Sequence, residues 1–439
     1  MTREGRYASS SIAPEALDLF VVNIAQLCTV DDPARDGAGP RRRAALGDAG
    51  IVGRAAFAVA DGRVVATGPE AELRRALFAD GGLPPGLEIL DVGGCAVVPG
   101  FVDPHTHAVF GRTRHDEYER RLRGETYLQI AAAGGGIRAS VRDLRARGED
   151  ELVELSVARL ARLLRHGTTT VEIKSGYGLS LADELKMLRI ARRAADLAGI
   201  RAVLTCLAAH EIPDEYRERR GDYVRLVCDE VLPRVAAEKL AERCDVFCEP
   251  SVFGLADTET ILVRAAELGL RVTVHADELE PMGGAQLAAR LGADSADHLI
   301  RIDANGIAAL ADRRTVATLL PGTAFTLGLP RYAPAREMVE AGCAVAIATD
   351  FNPGSCPIYS VPLVQSIACS QMRLSPGEAL VASTLNAAWA LGLAAEVGSL
   401  APGKAADFVV LTGDDHRLVP YHGGVDSVAA VYRSGRRVA

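Results

Sequence analysis

Short apolar runs of strand length recur through the middle of the chain and alternate with stretches of helical periodicity. The strand candidates lie at residues 97–103, 169–174, 202–207, 245–249, 271–275, 294–298, 315–320 and 344–350. Between most of them, apolar residues recur every three or four positions, as at 150–167, 182–199 and 259–269, which is the period of an amphipathic helix. Strands that alternate with helices predict a parallel sheet covered by helices, and eight strands are the number that closes a (β/α)8 barrel.

Both ends of the chain have a different pattern. Two further helical segments, 359–373 and 376–392, follow the last barrel strand, and β-like runs lie at 17–30, 55–68, 87–103, 398–413 and 425–439. The Pro/Gly/Arg-rich segment 31–50 reads as a solvated loop. We predict an α/β fold, in which a TIM-type barrel over 97–395 is flanked by a small β-sandwich domain built jointly from 1–96 and 396–439.

The composition indicates which binding partners and which cellular compartment to expect. The 439 residues are 49% hydrophobic and 24% charged, which is ordinary for a folded globular chain. A net charge of −8 leaves no broad basic surface, so we expect no nucleic-acid partner. We also expect no membrane span and no signal peptide, because no apolar run reaches the required length. The nine cysteines follow no disulfide framework, which favours a reducing, cytoplasmic location.

Histidines at strand ends are the most informative feature. His105 and His107 close the first predicted barrel strand, and residues two apart on a strand share a face. Later predicted strands end at His275, His298 and Asp350. The carboxyl ends of barrel strands form the active-site face, so these side chains are expected to converge. Three imidazoles and one carboxylate suit Zn²⁺ or Fe²⁺, with a position left open for water.

Several motifs carry a family resemblance. GFVDPHTH, HADE, ADHL, a strand-final ATD and the closing GSLAPGKAADFVVL resemble the amidohydrolase superfamily of metal-dependent hydrolases. More narrowly, HTHAVFGRTR, YLQIAAAGGGI, VEIKSGYGL, AAHEIP, DVFCE, LPGTAF and ATDFNPGSCP are similar to the imidazolonepropionase family of histidine-degradation enzymes. The order and number of these segments, which run from about residue 97 to 360, make the resemblance specific.

The resemblance implies a site and a reaction. The ligands of one Zn²⁺ or Fe²⁺/Fe³⁺ ion per subunit would be His105, His107, His275 and Asp350. The substrate, 4-imidazolone-5-propanoate, is an anionic heterocycle that is opened to N-formimidoyl-glutamate. The residues that would bind it are Arg114, Tyr177, His210, Glu278, Asn352, Gly354 and Ser355. The family also suggests a homodimer.

The chemistry of the residues agrees with this implication. Arg114 can hold a propanoate in bidentate fashion, and Gly354 would permit a close backbone approach. For catalysis, we expect Glu278 to act as general base and then to deliver a proton to the departing ring nitrogen. Asp350 would bind the metal and also accept a proton, and His298, outside the ligand set, would polarise the carbonyl.

Alternatives remain open at this point. A cytosine-type or other heterocyclic deaminase shares the histidines, Glu278 and the final aspartate, and only Arg114, Tyr177 and the 351–355 loop argue against it. A non-catalytic scaffold of the same fold is the other alternative. Lys174 and His210 are each compatible with a second metal, although we interpret Lys174 as a structural or substrate-side charge and His210 as a substrate contact. The ligand types do not choose between zinc and iron.

Overall fold

A computed structural model of the chain describes residues 6–7, 13–31, 39–78, 82–125, 129–130, 133–423 and 425–439, with backbone only for 6–7. Part of the predicted 31–50 loop, residues 32–38, lies outside the described residues. The same holds for residues 127–128 and 131–132 of the YLQIAAAGGGI segment.

The two ends of the chain join in one mixed sheet, which has nine strands within the described residues. Its strands are β1 (Arg6–Tyr7), β2 (Leu19–Cys28), β3 (Ile51–Ala60), β4 (Arg63–Pro69), β5 (Glu88–Asp91), β6 (Val97–Pro99), β15 (Phe408–Leu411), β16 (Val428–Arg433) and β17 (Arg436–Arg437). They lie in the order β1-β4-β3-β2-β6-β15-β16-β17, with β5 beside β2, so the antiparallel pair of β6 and β15 links the two ends. The predicted composite β domain is confirmed in this form.

Apolar residues cover both faces of this terminal sheet. Along β2, Leu19 and Val21 belong to one buried cluster, whereas Phe20 and Val22 belong to another. The alternation follows from the two-residue period of a strand. The second cluster includes Leu73 from helix α1 (Glu70–Leu77), so that helix covers one face.

The middle of the chain forms a sheet of eight parallel strands within the described residues. They are β7 (Phe101–Asp103), β8 (Thr168–Lys174), β9 (Arg201–Ala209), β10 (Arg243–Cys248), β11 (Arg271–Ala276), β12 (Ser295–His298), β13 (Val316–Leu319) and β14 (Ala344–Ile347). Each strand pairs with its neighbours in chain order. Just beyond β7 and β14, Thr106 and Phe351 form a parallel bridge, and the Thr349 hydroxyl donates to Asp103 over 2.6 Å. The predicted barrel is confirmed, and these contacts close it.

Helices cover the outside of the barrel. They are α2 (His115–Leu122), α3 (Ile137–Ala146), α4 (Glu149–Arg165), α5 (Leu181–Ala198), α6 (Arg220–Leu226), α7 (Leu232–Ala237), α8 (Leu255–Glu267), α9 (Gly284–Leu291), α10 (Ala304–Ala311), α11 (Pro321–Leu327), α12 (Ala335–Ala341), α13 (Val361–Met372), α14 (Pro376–Ala382), α15 (Leu385–Leu391) and α16 (Leu418–His422). Among the described residues, no helix combines the length and the apolar character that a membrane span requires.

Two sequence predictions about elements were wrong. The strand predicted over 97–103 is two strands, β6 in the terminal sheet and β7 in the barrel. Pro99 cannot donate to a strand ladder, and a side chain at Gly100 would come within 2.3 Å of Thr169 Oγ1, so the chain changes sheets there. The helix predicted over 376–392 is broken before α15, because Thr384 has non-helical backbone angles and its hydroxyl donates to the Leu380 carbonyl. The domain boundaries at 96/97 and 395/396 remain a proposal.

The interior of the barrel is polar. On β8, Val171 and Ile173 belong to the apolar cluster shared with the helices. The alternate residues Glu172 and Lys174 are buried on the other face, and the Lys174 ammonium lies 3.6 Å from Asp297 on β12. A contact between strands four positions apart can only pass through the barrel. Branched apolar residues usually fill the interior of such a barrel, so buried charges in this position are unusual.

Candidate metal centre

Four histidines and one aspartate meet at the carboxyl ends of the barrel strands. The Nε2 atoms of His105 and His107 each lie 3.6 Å from Asp350 Oδ1. The His275 ring is 4.5 Å from the His105 ring and 5.6 Å from the His107 ring, measured between centroids. All these side chains are buried. The structure therefore brings together the four predicted ligands, and their role as ligands stays a prediction.

Carboxylates behind the histidines orient two of the rings. His105 Nδ1 donates to Asp297 Oδ2 over 2.7 Å, and His275 Nδ1 lies 2.8 Å from Asp245 Oδ2. With Nδ1 engaged in this way, the Nε2 atom of each ring is left for a metal ion. This arrangement of carboxylate, histidine and metal is common in metalloproteins, because it sets both the tautomer and the orientation of the ring.

The donor set fits a divalent metal ion. His105 Nε2 is fully buried and has no hydrogen-bond partner among the described residues. Donor atoms of His105, His107 and His275 lie within 4.8 Å of one another, and so do those of His105, His298 and Asp350. Imidazole nitrogens with one carboxylate are typical of zinc and of non-haem iron. His298, which the sequence places outside the ligand set, is close enough to be a further ligand.

The electrostatics favour the neutral form of three of these imidazoles, His105, His107 and His298, and neutral imidazole is the form that binds metals. Burial holds the pKa of His105 and of His107 well below the usual range, and the charges of neighbouring groups, Lys174 for His105 and His210 for His107, lower it further. Burial also lowers the pKa of His298 well below its usual value. For His275, burial acts in the same direction, but the adjacent Asp245 carboxylate outweighs it and raises the pKa.

Asp350 is held in an unusual backbone conformation. Its φ is 55°, and His298 has a φ of 74°. Non-glycine residues seldom adopt the left-handed region and cost about 1–3 kcal/mol there, so they concentrate at functional sites. The Thr323 hydroxyl donates to Asp350 Oδ2 over 2.5 Å. Burial raises the pKa of Asp350 to about 6.

Glu278 lies beside the histidine cluster on the loop after β11. Its Oε2 atom is 3.6 Å from His298 Nδ1, and its side chain is 13% exposed. The buried Glu249 carboxylate holds the loop by accepting hydrogen bonds from the backbone of residues 278–280. Burial, with a smaller contribution from Asp350, raises the pKa of Glu278 to about 8. A carboxyl group with a pKa near neutrality can both accept and release a proton.

Arg114 packs against the loop that follows Asp350. A Cβ at Gly354 would lie 1.3 Å from Arg114 Nη2, so any larger residue at this position would displace the guanidinium. The guanidinium is 9% exposed, and its nearest carboxylate, Glu117, is 3.8 Å away. Its Nε and Nη1 atoms have no hydrogen-bond partner among the described residues. Arg114 is therefore a buried cation with donors to spare.

His210 and Tyr177 both lie beside His107. The His210 ring stacks on His107 at 5.1 Å between centroids, and its Nδ1 donates to the Gly176 carbonyl over 3.0 Å. Burial, helped by His275, lowers the pKa of His210 to about 3, so the ring is neutral at neutral pH. The ring of Tyr177 is 5.4 Å from that of His210. Both residues lie where the sequence predicts substrate contacts.

The side chain of Asn352 is occupied within its own loop. Its Oδ1 accepts from the backbone of residues 354–356, and its Nδ2 donates to the Asp350 carbonyl and to Ser355 Oγ. These bonds use the hydrogen-bonding capacity of an asparagine side chain. A direct contact with substrate would break one of them, so the geometry favours a loop-holding role over the predicted substrate contact. Ser355 remains half-buried at the site.

Lys174 is enclosed by carboxylates inside the barrel. Its Nζ atom lies 2.7 Å from Glu172 and 2.8 Å from Asp245, and despite burial these carboxylates raise its pKa. These contacts favour the interpretation of Lys174 as a structural charge over that of a metal bridge. Sequence reasoning missed Glu172, Asp245 and Asp297 as parts of the site. A signal for them was present in the sequence. Each of these acidic residues stands within a predicted strand, where its side chain points to the face opposite that of its apolar neighbours.

Comparison with known proteins agrees with this geometry. The amidohydrolase family model matches residues 96–438. The imidazolonepropionase of Symbiobacterium thermophilum is 50% identical over 423 residues, or 96% of this chain and 97% of that protein. The imidazolonepropionase of Geobacillus kaustophilus is 45% identical over 420 residues, or 96% of this chain and 97% of that protein.

Solved structures show the same fold at low sequence identity. The adenosine deaminase from Xanthomonas campestris with bound zinc has a TM-score of 0.68 at 20% identity, over 97% of this chain and 93% of that one. The E. coli guanine deaminase has a TM-score of 0.68 at 18% identity, over 96% and 99%. The family model and the relatives that match over almost their whole length show that the chain belongs to the amidohydrolase family and, within it, to the imidazolonepropionases, a group of hydrolases.

Proposed function

We propose that the chain hydrolyses 4-imidazolone-5-propanoate to N-formimidoyl-glutamate, a step of histidine degradation. The observation that best supports this proposal is the buried Arg114 guanidinium, whose Nε and Nη1 atoms lack hydrogen-bond partners among the described residues. Unmet donors on a buried cation are costly unless an anion completes them. A propanoate tail would supply two oxygens in the geometry that a guanidinium fork accepts.

The remaining substrate contacts suit a neutral ring. His210 is uncharged because its pKa is about 3, and since its Nδ1 donates to the Gly176 carbonyl, its Nε2 is left to accept a hydrogen bond. Tyr177 packs beside it. The ring would therefore lie between these side chains and the histidine cluster, with its tail directed to Arg114. Relatives at 40–50% identity that carry the name imidazolonepropionase support the choice of substrate.

A metal held by His105, His107, His275 and Asp350 would activate water and polarise the ring carbonyl when bound. Glu278 takes the proton from the attacking water and then passes it to the ring nitrogen as the C–N bond breaks. The hydroxyl group ends on the carbonyl carbon and the proton on the leaving nitrogen, so one water is consumed. His298, 3.6 Å from Glu278, donates a hydrogen bond to the carbonyl oxygen.

Product analysis tests the proposal against a deaminase. The purified protein is incubated with imidazolone propanoate, and ring opening, N-formimidoyl-glutamate and ammonia are each quantified. We expect one N-formimidoyl-glutamate for each ring opened, with no ammonia. Release of ammonia from a neutral aminated heterocycle, with no turnover of the imidazolone, would support the deaminase and overturn the proposal.

A further inference from the structure

A chain of buried charges lies directly behind the histidine cluster. Lys174 Nζ is 2.7 Å from Glu172 Oε2, 2.8 Å from Asp245 Oδ2 and 3.6 Å from Asp297 Oδ2. The side chains of all four residues have no solvent exposure. These residues come from β8, β10 and β12 and meet inside the barrel. Lys174 is thus the common cation partner of three carboxylates.

Two of those carboxylates are the ones that orient histidines. Asp245 is 2.8 Å from His275 Nδ1, and Asp297 accepts the hydrogen bond from His105 Nδ1. Each carboxylate therefore contacts Lys174 on one side and a predicted metal ligand on the other. His275 and His105 stand on different strands, and Lys174 is the side chain that connects the two pairs.

We propose that Lys174 is a positioning residue for the metal centre, which holds Asp245 and Asp297 so that His275 and His105 present Nε2 to one ion. The inference rests on the metal centre of the proposed function. Buried carboxylates without a cation would repel one another and turn away from the rings. With Lys174 present, both keep the orientation that the imidazoles need.

The charge balance of the barrel interior supports this role. Arg243 on β10 is 1% exposed and lies 3.6 Å from Glu172. Arg243 also lies 3.7 Å from Asp294, so the two cations Lys174 and Arg243 stand among four carboxylates, and Lys174 is one of only two positive charges in this group. Removal of Lys174 would add a further uncompensated charge in a space that excludes water.

Metal titration of the full chain tests the inference. Wild type and Lys174→Met are stripped with a chelator and titrated with Zn²⁺ against a competing chelator, and with Co²⁺ to record the absorption spectrum of the site. Loss of residues behind metal ligands commonly weakens metal binding about 10- to 100-fold, and we expect Lys174→Met to do so and to change the Co²⁺ spectrum. A dissociation constant within about twofold of wild type, with an unchanged spectrum, would overturn the inference.

Two further variants separate positioning from general stability. Lys174→Arg keeps the cation, and we expect it to bind metal more tightly than Lys174→Met; equal loss in both would overturn the inference. Lys186→Met is the matched control, since Lys186 is another largely buried lysine, hydrogen-bonded to the Leu144 and Arg147 carbonyls away from the histidines. It should bind metal as wild type does.

Folding is checked first, by thermal unfolding of the metal-free proteins. If Lys174→Met does not fold, the double variant Lys174→Met/Asp297→Asn, which restores the charge balance, replaces it and is compared with Asp297→Asn alone. The inference expects the double variant to bind metal more weakly, because the support of Asp245 is also lost. Equal affinities would overturn it. Wild type that takes up no metal would overturn the metal centre itself, so the two failures are distinguishable.

Discussion

Arg114 carries the argument about the substrate, because packing alone does not explain a buried guanidinium with unmet donors. We expect Arg114→Met to raise KM for imidazolone propanoate about 10- to 100-fold, since a hydrogen bond to a charged group contributes about 1.5–3 kcal/mol, and to leave kcat within a few-fold. Steady-state kinetics measures both constants. Arg123→Met at the opposite end of α2, where the side chain is 72% exposed, is the control and should match wild type. An unchanged KM in Arg114→Met would show that the tail binds elsewhere.

Gly354 allows a second test of the role of Arg114, in which the guanidinium is displaced sterically instead of being removed. A methyl group there would lie 1.3 Å from Arg114 Nη2, so Gly354→Ala must displace the guanidinium. We expect KM to rise as in Arg114→Met, and the double variant to be little worse than either single one, because both changes remove the same contact. Gly148→Ala, where the added methyl meets nothing within 4 Å, serves as control. Additive effects on KM would contradict this explanation.

Loops at the strand ends depend on buried carboxylates that accept backbone hydrogen bonds. Asp277 accepts from the backbone of residues 282–285, and Glu249 does so for the loop of Glu278. Glu184 on α5 accepts from Gly176, Gly178 and Leu179, and so holds the loop that carries Tyr177. The loops at this end of the barrel are thus held by buried carboxylates that bind the loop backbone.

Glu184→Gln tests this dependence. The amide turns one acceptor into a donor that faces the backbone N–H of Gly176, which leaves a buried donor unsatisfied. We expect a loss of about 1–3 kcal/mol in the free energy of unfolding, measured by denaturant titration, and a higher KM. Asp196→Asn, at the exposed far end of the same helix, should change neither quantity. Stability equal to wild type would mean that the loop is held by other contacts.

The same carboxyl group predicts a pH effect. Burial raises the pKa of Glu184 above its ordinary value of 4.5, so the folded protein keeps a proton that the unfolded chain has released. Above pH 4.5 the wild type therefore loses stability as pH rises, until the native pKa is passed. Glu184→Gln does not titrate, so we expect its cost to be smaller at about pH 8 than near the unfolded pKa. A cost that grows with pH would contradict the raised pKa.

We expect a metal ion at the predicted centre to stabilise the whole fold as well as to support the chemistry, because its predicted ligands lie near both the first and the last strand of the barrel sheet. We expect removal of the metal by a chelator to abolish hydrolysis and to lower the thermal unfolding temperature, because an ion that binds only the folded state stabilises it. Zn²⁺ or Fe²⁺ should restore both properties. Metal analysis should find one ion per chain in wild type and a large loss in His107→Ala. His115→Ala is the control, because that side chain is 77% exposed; loss of metal in it alone would disprove the assignment.

The succession of elements and the meeting of His105, His107, His275 and Asp350 were predictable from the sequence, because both depend on local patterns. Each of these residues lies at or just beyond the end of a strand, and parallel strands bring their carboxyl ends to one face. The point at which the chain changes sheets, after Pro99, was not predictable, because it depends on a neighbour at Thr169.

The interior charges depended on the fold in the same way. Asp245 and Asp297 lie far from each other and from the pair Glu172 and Lys174 in the chain, and within each strand these residues interrupt a run of apolar residues. Their partners are set by barrel closure, which brings β8, β10 and β12 around one axis. The sequence thus specifies which groups end the strands, whereas the closed barrel determines which carboxylate orients which imidazole, since that pairing is a contact across space between residues with no local relation.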